Sequence, residues 1–181
     1  MKKNKIILLL LALIFIAPSL SAYLLYKHPA WRSSQTTNKG ELLSPAPALT
    51  LFDDSKWHIV LWSPNACTKT CMERLVQLTK LRLALGRRYY DTDLWLVLPD
   101  GNQDTELSQG EIQRMKKHGV RLIRLLSQNE NITLLSAYPT SIFIATPQQR
   151  LILRYNQQSK LEDIYHDLKH LLTTTDGKNV S

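Results

Sequence analysis

Hydrophobic positions follow one pattern at the start of the chain and another in the rest. Ile6 to Ile16 is an unbroken apolar run, and the residues from Ala17 to Tyr26 extend it without a charge. A helix of about 20 such residues crosses a bilayer core. Beyond it, Arg32–Pro47 is rich in Ser, Thr, Asn and Pro and reads as a linker. After the linker, short apolar runs alternate with helical periods. Trp57–Trp62 is apolar and rich in β-formers, which predicts a strand. Thr68–Arg87 places Leu75, Leu78, Leu81 and Leu85 at helical spacing, which predicts a long amphipathic helix with Gly86 at its end. Leu94–Leu98 predicts a second buried strand, closed by the turn sequence Pro99-Asp100-Gly101. Glu106–His118 predicts a helix, with Gly119 after it and a third strand at Val120–Leu125. Ser141–Thr146 and Leu151–Tyr155, joined by Pro147-Gln148-Gln149-Arg150, predict a hairpin. Leu161–Leu172 predicts a final helix with Leu161, Ile164, Leu168 and Leu171 on one face.

Alternating elements at the start imply a parallel pair with a right-handed crossover, and the hairpin at the end adds antiparallel strands. The expected fold is therefore α/β, a mixed sheet flanked by helices and preceded by one transmembrane helix. The organisation reads as a cytoplasmic n-region at 1–5, an anchor at 6–26, a linker at 27–46, a folded domain at 47–173 and a loose tail at 174–181. Lys2, Lys3 and Lys5 precede the anchor, and Tyr23, Tyr26 and Trp31 suit its interface. A cleaved signal peptide is the alternative, with small residues at Ser19-Leu20-Ser21 and Leu20-Ser21-Ala22. The apolar Tyr23–Tyr26 beyond that site favours the uncleaved anchor. Both readings export the rest of the chain. The expected location is the bacterial inner membrane, single-pass, with the C-terminal domain in the periplasm.

Composition narrows the chemistry. Two cysteines in 181 residues exclude a disulfide-dense scaffold and an all-cysteine zinc site. Six glycines, with no GxGxxG or GxxxxGK[ST] pattern, argue against a phosphate-cradling loop. The formal charge is +8, but the basic residues are scattered and no recognition signature accompanies them, so no nucleic-acid partner is expected.

The candidate chemistry is at Cys67 and Cys71, which frame Thr68-Lys69-Thr70 between the first strand and the long helix. Positions four apart on a helix share a face, so the sulfurs can converge. The partial positive charge of a helix N-terminus favours thiolate, and Lys69 adds to it. Such a thiolate can attack a disulfide or ligate a soft ion such as Cu(I). A structural disulfide closing a small loop and a pair of inert thiols are the bland alternatives. His166 and His170, at i and i+4 on the last helix, read as a solvated face rather than a metal pair.

At these residues the chain resembles the thioredoxin superfamily, and within it the SCO/SenC proteins of cytochrome c oxidase assembly. Cys67-Thr68-Lys69-Thr70-Cys71, followed by Met72-Glu73-Arg74-Leu75, is similar to their CxxxC motif and its helix, with Met72 in place of the family's proline. Ser141–Pro147 resembles their later strand. Softer likenesses to SCO-like proteins encoded with bacterial oxidase genes lie at Leu83–Arg87 and Asp167–Leu172. The resemblance implies a thioredoxin-like fold and a redox-active pair, with no cofactor required and Cu(I) on Cys67 and Cys71 as an option. It implies a cytochrome oxidase subunit or another assembly protein as partner, at the inner membrane. The family's histidine ligand falls at or next to Tyr138. Its absence favours a thiol–disulfide oxidoreductase over a copper carrier, with a non-catalytic scaffold as a third reading. Met72 and His58 are the rival third ligands. Pro139 resembles the cis-proline that packs beside the cysteines in thioredoxins, and joins Cys67 and Cys71 as a candidate catalytic residue.

Overall fold

The computed structural model describes residues 2–27, 37–51, 55–100, 107–126 and 128–176. The chain divides into two compact units, Met1–Thr36 and Thr37–Ser181. The expectations placed on Trp31, on 32–36, on Gly101 and Glu106, and on the tail from 177 lie outside the described residues.

The first unit contains helix α1, Lys2–Lys27. Pro18 lies inside it, and the Ser21 hydroxyl donates to Ala17 O at 2.8 Å. Leu13, Ile14, Phe15 and Ile16 are all exposed. Side chains in α1 are described at Lys5, Ile7, 11–21, Tyr23, Leu24 and Lys27. Over the described residues, no helix is long and apolar enough to cross a membrane.

In the second unit six strands form one sheet in the order β1-β6-β5-β2-β3-β4. These are β1 (Glu41–Leu42), β2 (Trp57–Trp62), β3 (Thr92–Pro99), β4 (Val120–Leu125), β5 (Ser141–Ala145) and β6 (Leu151–Asn156). The helices are α2 (Lys69–Ala84), α3 (Gln109–Lys117), α4 (Glu130–Ser136) and α5 (Leu161–Asp176). β2, β3 and β4 are parallel, and β5 and β6 run antiparallel as the expected hairpin.

The period of two in each central strand sorts side chains onto two faces. Ile59, Leu61, Leu94, Leu96, Leu98, Ile142 and Ile144 pack under α2, α3 and α5. Val60, Trp62, Trp95, Val97, Phe143 and Ala145 pack on the other side, with Leu135 of α4 and Leu49. Both faces are covered, so β2 is buried along its whole length. α2 stops where Gly86 takes φ of +62°, the left-handed conformation of a C-terminal cap. Buried Arg82 pins that end of the helix, binding Asp93 at 2.9 Å and Gly119 O at 3.1 Å.

Several boundaries differ from the sequence reading. A turn of 3₁₀ helix, Gly86–Asp91, follows α2, and α4 was not expected at all. α5 runs on to Asp176, so the tail does not begin at 174. The main correction concerns the segment read as linker at 27–46: the folded unit begins at Thr37 rather than Pro47. Asp167 is the reason. Its Oδ2 accepts from Lys39 N at 2.7 Å, Gly40 N at 2.8 Å and the Tyr155 hydroxyl at 2.7 Å. A Cβ on Gly40 would meet Tyr155 Cζ at 2.6 Å, so any larger residue there would push the Tyr155 ring away from Asp167. Glu41 then pairs with Arg154 at 2.8 Å as β1 joins β6.

Burial raises the Asp167 pKa, but hydrogen bonds from Gly40, Tyr155, His166 and Lys39 outweigh it and hold the carboxyl below its ordinary value. A depressed pKa gives stability that is present above the unfolded value, about 3.9, and lost as pH falls through the folded one. Asp167→Asn should therefore cost about 2 kcal/mol or more near neutral pH, the range for charged hydrogen bonds. In urea unfolding the gap between variant and wild type should shrink as pH falls below about 4. A gap independent of pH would show that the carboxylate charge contributes nothing.

Candidate functional site: the Cys67–Cys71 disulfide

β2 ends at Trp62, and five residues, Ser63 to Cys67, carry the chain to the helix cap at Thr68. Ser63 N–H donates to Val97 O at 3.2 Å, which holds the loop to β3. The Trp62 indole N–H donates to Tyr138 O at 3.2 Å, which holds the α4–β5 loop to the same strand end. Cys67 therefore lies before the helix, not on it, while Cys71 is the third helical residue. The tight turn at Ala66–Thr68, where Thr68 N–H donates to Ala66 O at 2.9 Å, brings the sulfurs together rather than a shared helical face. They form a disulfide with Cα atoms 5.2 Å apart.

Two asymmetries bear on its chemistry. Cys71 is buried at 3% exposure against α2's own core residues, whereas Cys67 is half-buried. Cys67 opens onto an apolar groove between α2 and α3 of about 630 Å³. Cys71 opens instead onto a smaller polar cleft of about 240 Å³, with Ser63, Asn65, Thr140 and Gln157. The helix cap is the second asymmetry. α3 has a full capping box, in which Ser108 and Glu111 satisfy each other's backbone N–H groups. α2 has none: the Thr68 side chain makes no cap hydrogen bond and no acidic residue occupies the first turn. Its positive end is left uncompensated at the disulfide, which stabilises a thiolate formed there.

Of the other expected site residues, none joins the pair. The peptide bond before Pro139 is trans; among the described residues the cis bond is Ser44–Pro45. The trans form is the lower in energy by about 0.5–1 kcal/mol. The turn after α4, closed by Tyr138 N–H on Leu135 O at 3.0 Å, proceeds without a cis bond. Pro139 is exposed, and its neighbour Thr140 lines the cleft with Cys71. Tyr138 lies on the opposite face of the sheet, edge-on to Phe143 and under the Arg154 guanidinium. His58 also points to that face, where its Nδ1 accepts from the Trp95 indole N–H at 3.1 Å. Met72 packs against the core beside the groove. His166 and His170 are exposed on α5, and His166 Nδ1 lies 3.1 Å from Asp167 Oδ1. No group of three or more His, Cys, Asp or Glu side chains among the described residues could hold a metal ion. Of the three positions considered for a third copper ligand, Tyr138 and His58 are across the sheet from the sulfurs, while Met72 lines the groove with Cys67.

Thr140, Gln157 and Met115 border the two openings without having been singled out from the sequence. Met115 was legible as part of the apolar face of α3, one turn after Ile112. Thr140 and Gln157 reach Cys71 only through the sheet, from 69 and 86 positions away in the chain.

A sequence model of the transmembrane-like, thioredoxin-like C-terminal-domain family matches residues 57–175, and the chain belongs to that family. No curated protein matches the sequence significantly. Among solved structures, apo Sco1 from Thermus thermophilus aligns with 77% of this chain and 99% of its own, at 15% identity and TM-score 0.56. Copper-bound ScoI from Arabidopsis thaliana aligns with 67% of this chain and 86% of its own, at 13% identity and TM-score 0.49. The thioredoxin domain of a Bacteroides vulgatus thiol-disulfide oxidoreductase aligns with 73% of this chain and 96% of its own, at 16% identity and TM-score 0.46. At these identities the likeness is one of fold: this is a thioredoxin-like domain with its disulfide at the strand-to-helix junction.

The uncompensated helix end makes a prediction. Lys69→Glu removes a positive charge and adds a carboxylate in the first turn, disfavouring the reduced, thiolate-bearing form. The reduction potential should fall by roughly 10–40 mV, from about 0.3–1 kcal/mol per charge. An unchanged potential in a folded Lys69→Glu protein would remove the helix end from the account.

Proposed function

We propose that the protein is a membrane-tethered thiol–disulfide oxidoreductase of the bacterial inner membrane. Its domain faces the periplasm and acts on cysteines of a cytochrome oxidase subunit or another assembly protein. The observation that carries the redox reading is the asymmetric pair, with Cys67 accessible at an uncapped helix N-terminus and Cys71 buried behind it. In the reducing direction, the Cys67 thiolate attacks a partner disulfide and forms a mixed disulfide. Cys71 then attacks Cys67 Sγ, the partner leaves as a dithiol, and the Cys67–Cys71 bond re-forms. An upstream dithiol donor resets the pair.

The tether rests on the uncharged Ile6–Tyr26 stretch, about the 20 residues that cross a bilayer core as a helix. The orientation rests on the lysines at 2, 3 and 5. The oxidase pathway rests on the SCO-like motifs and on the fold shared with Thermus thermophilus Sco1. Copper carriage is the weaker reading, because Tyr138 and His58 lie across the sheet from the sulfurs.

Cys71→Ser should trap partners in membranes as reducible mixed disulfides through Cys67, and Cys67→Ser should trap none. Equal trapping by both variants, or none by either beside an unreactive wild-type disulfide, would contradict the oxidoreductase and leave the scaffold reading.

A further inference from the structure

We propose that the groove between α2 and α3 seats the polypeptide flanking the partner's reactive cysteine, and that it selects an uncharged, apolar segment. The proposal rests on the redox reading above and names its substrate class. Cys67 forms one end of the groove, so a thiol reaching its sulfur from this side brings its own flanking chain onto the lining. Beyond Cys67 the lining runs along α2 from Lys69 to Thr79, about 15 Å at 1.5 Å per residue, the length of four or five extended residues. A small thiol would fill only the Cys67 end. The walls and floor are Met72, Leu75, Val76, Met115 and Val120, with Val76 half exposed. The two methionines suit varied apolar side chains, since an unbranched thioether repacks readily.

The rim carries charge of both signs. Lys69 and Glu73 come from α2, and Arg114 and Glu111 from α3, with His118 after it. The Glu111 carboxylate is already engaged, accepting from Ser108 N at 2.9 Å and from the Ser108 hydroxyl at 2.8 Å. This balance gives no large net field, so selection comes from apolar contact and is little affected by salt. The exchange step is closed in atoms and electrons. A partner thiolate bonds to Cys67 Sγ, the Cys67–Cys71 bond breaks, and its electron pair leaves on Cys71 Sγ, which takes a proton in the polar cleft.

The test uses the oxidised full chain in phospholipid nanodiscs and two synthetic peptides, each with one central cysteine and equal net charge. One has Leu, Val and Ile around the cysteine, the other Ser and Gly. Mixed-disulfide formation should be about tenfold faster with the apolar peptide, the effect of burying one or two aliphatic side chains. The preference should persist at high salt. Val76→Lys should abolish it, and Leu83→Lys, on exposed α2 surface outside the groove, should leave both the preference and the rate with dithiothreitol intact. Equal rates for the two peptides beside normal reduction by dithiothreitol would overturn the groove and spare the redox reading. So would an undiminished preference in Val76→Lys. A disulfide that neither peptides nor dithiothreitol open would overturn both.

Discussion

The site depends on the complete burial of β2. A strand packed on both faces, paired to β3 on one side and β5 on the other, cannot shift without breaking both ladders and both cores. Its end at Trp62 is therefore a fixed point. From it the loop to Thr68 delivers Cys67 to the mouth of α2, and the rows Cys71–Leu75–Leu78–Leu81 lock α2 down on the same core. The loop after β2 and the inward face of α2 set the separation of the two sulfurs.

The same arrangement explains the division of roles within the pair. Cys71 is on the helix face that packs inward, so it is buried for the same reason as Leu75 and Leu78. Cys67 precedes the helix and escapes that packing. The helix end between them has no acidic side chain and no side-chain cap, whereas α3 a short distance along the chain has both. A fully capped α2 would be more stable by about 1 kcal/mol. Leaving it open keeps backbone N–H groups and positive potential available to a thiolate.

Much of this was legible in the chain because strong periodicity marks elements buried on one or both faces. β2, α2, β3 and the hairpin follow from runs such as WHIVLW and the leucine row of α2, and the CxxxC between them marked the site. What stayed hidden depends on contacts distant in sequence. Thr37–Ala46 looks like a linker because its own composition is polar; Asp167 and the pairing of β1 with β6, both far along the chain, strap it down. α4 spans seven residues, too few for a period to show, although Asn129 caps it by accepting from Asn131 N–H at 2.9 Å. Tyr138 and Pro139 were placed beside the cysteines by likeness to other chains. Here the α4–β5 loop turns Tyr138 under Phe143 and leaves Thr140 to line the cleft.

The central claim is that the Cys67–Cys71 bond is a working redox couple and not a structural staple. Its reduction potential in the full-length protein decides this, read by equilibrating the chain in graded thiol–disulfide buffers and counting alkylated cysteines. The account predicts one two-electron transition at a potential above about −300 mV, the range of labile and catalytic disulfides. A transition well below about −300 mV, where structural disulfides lie, would contradict it.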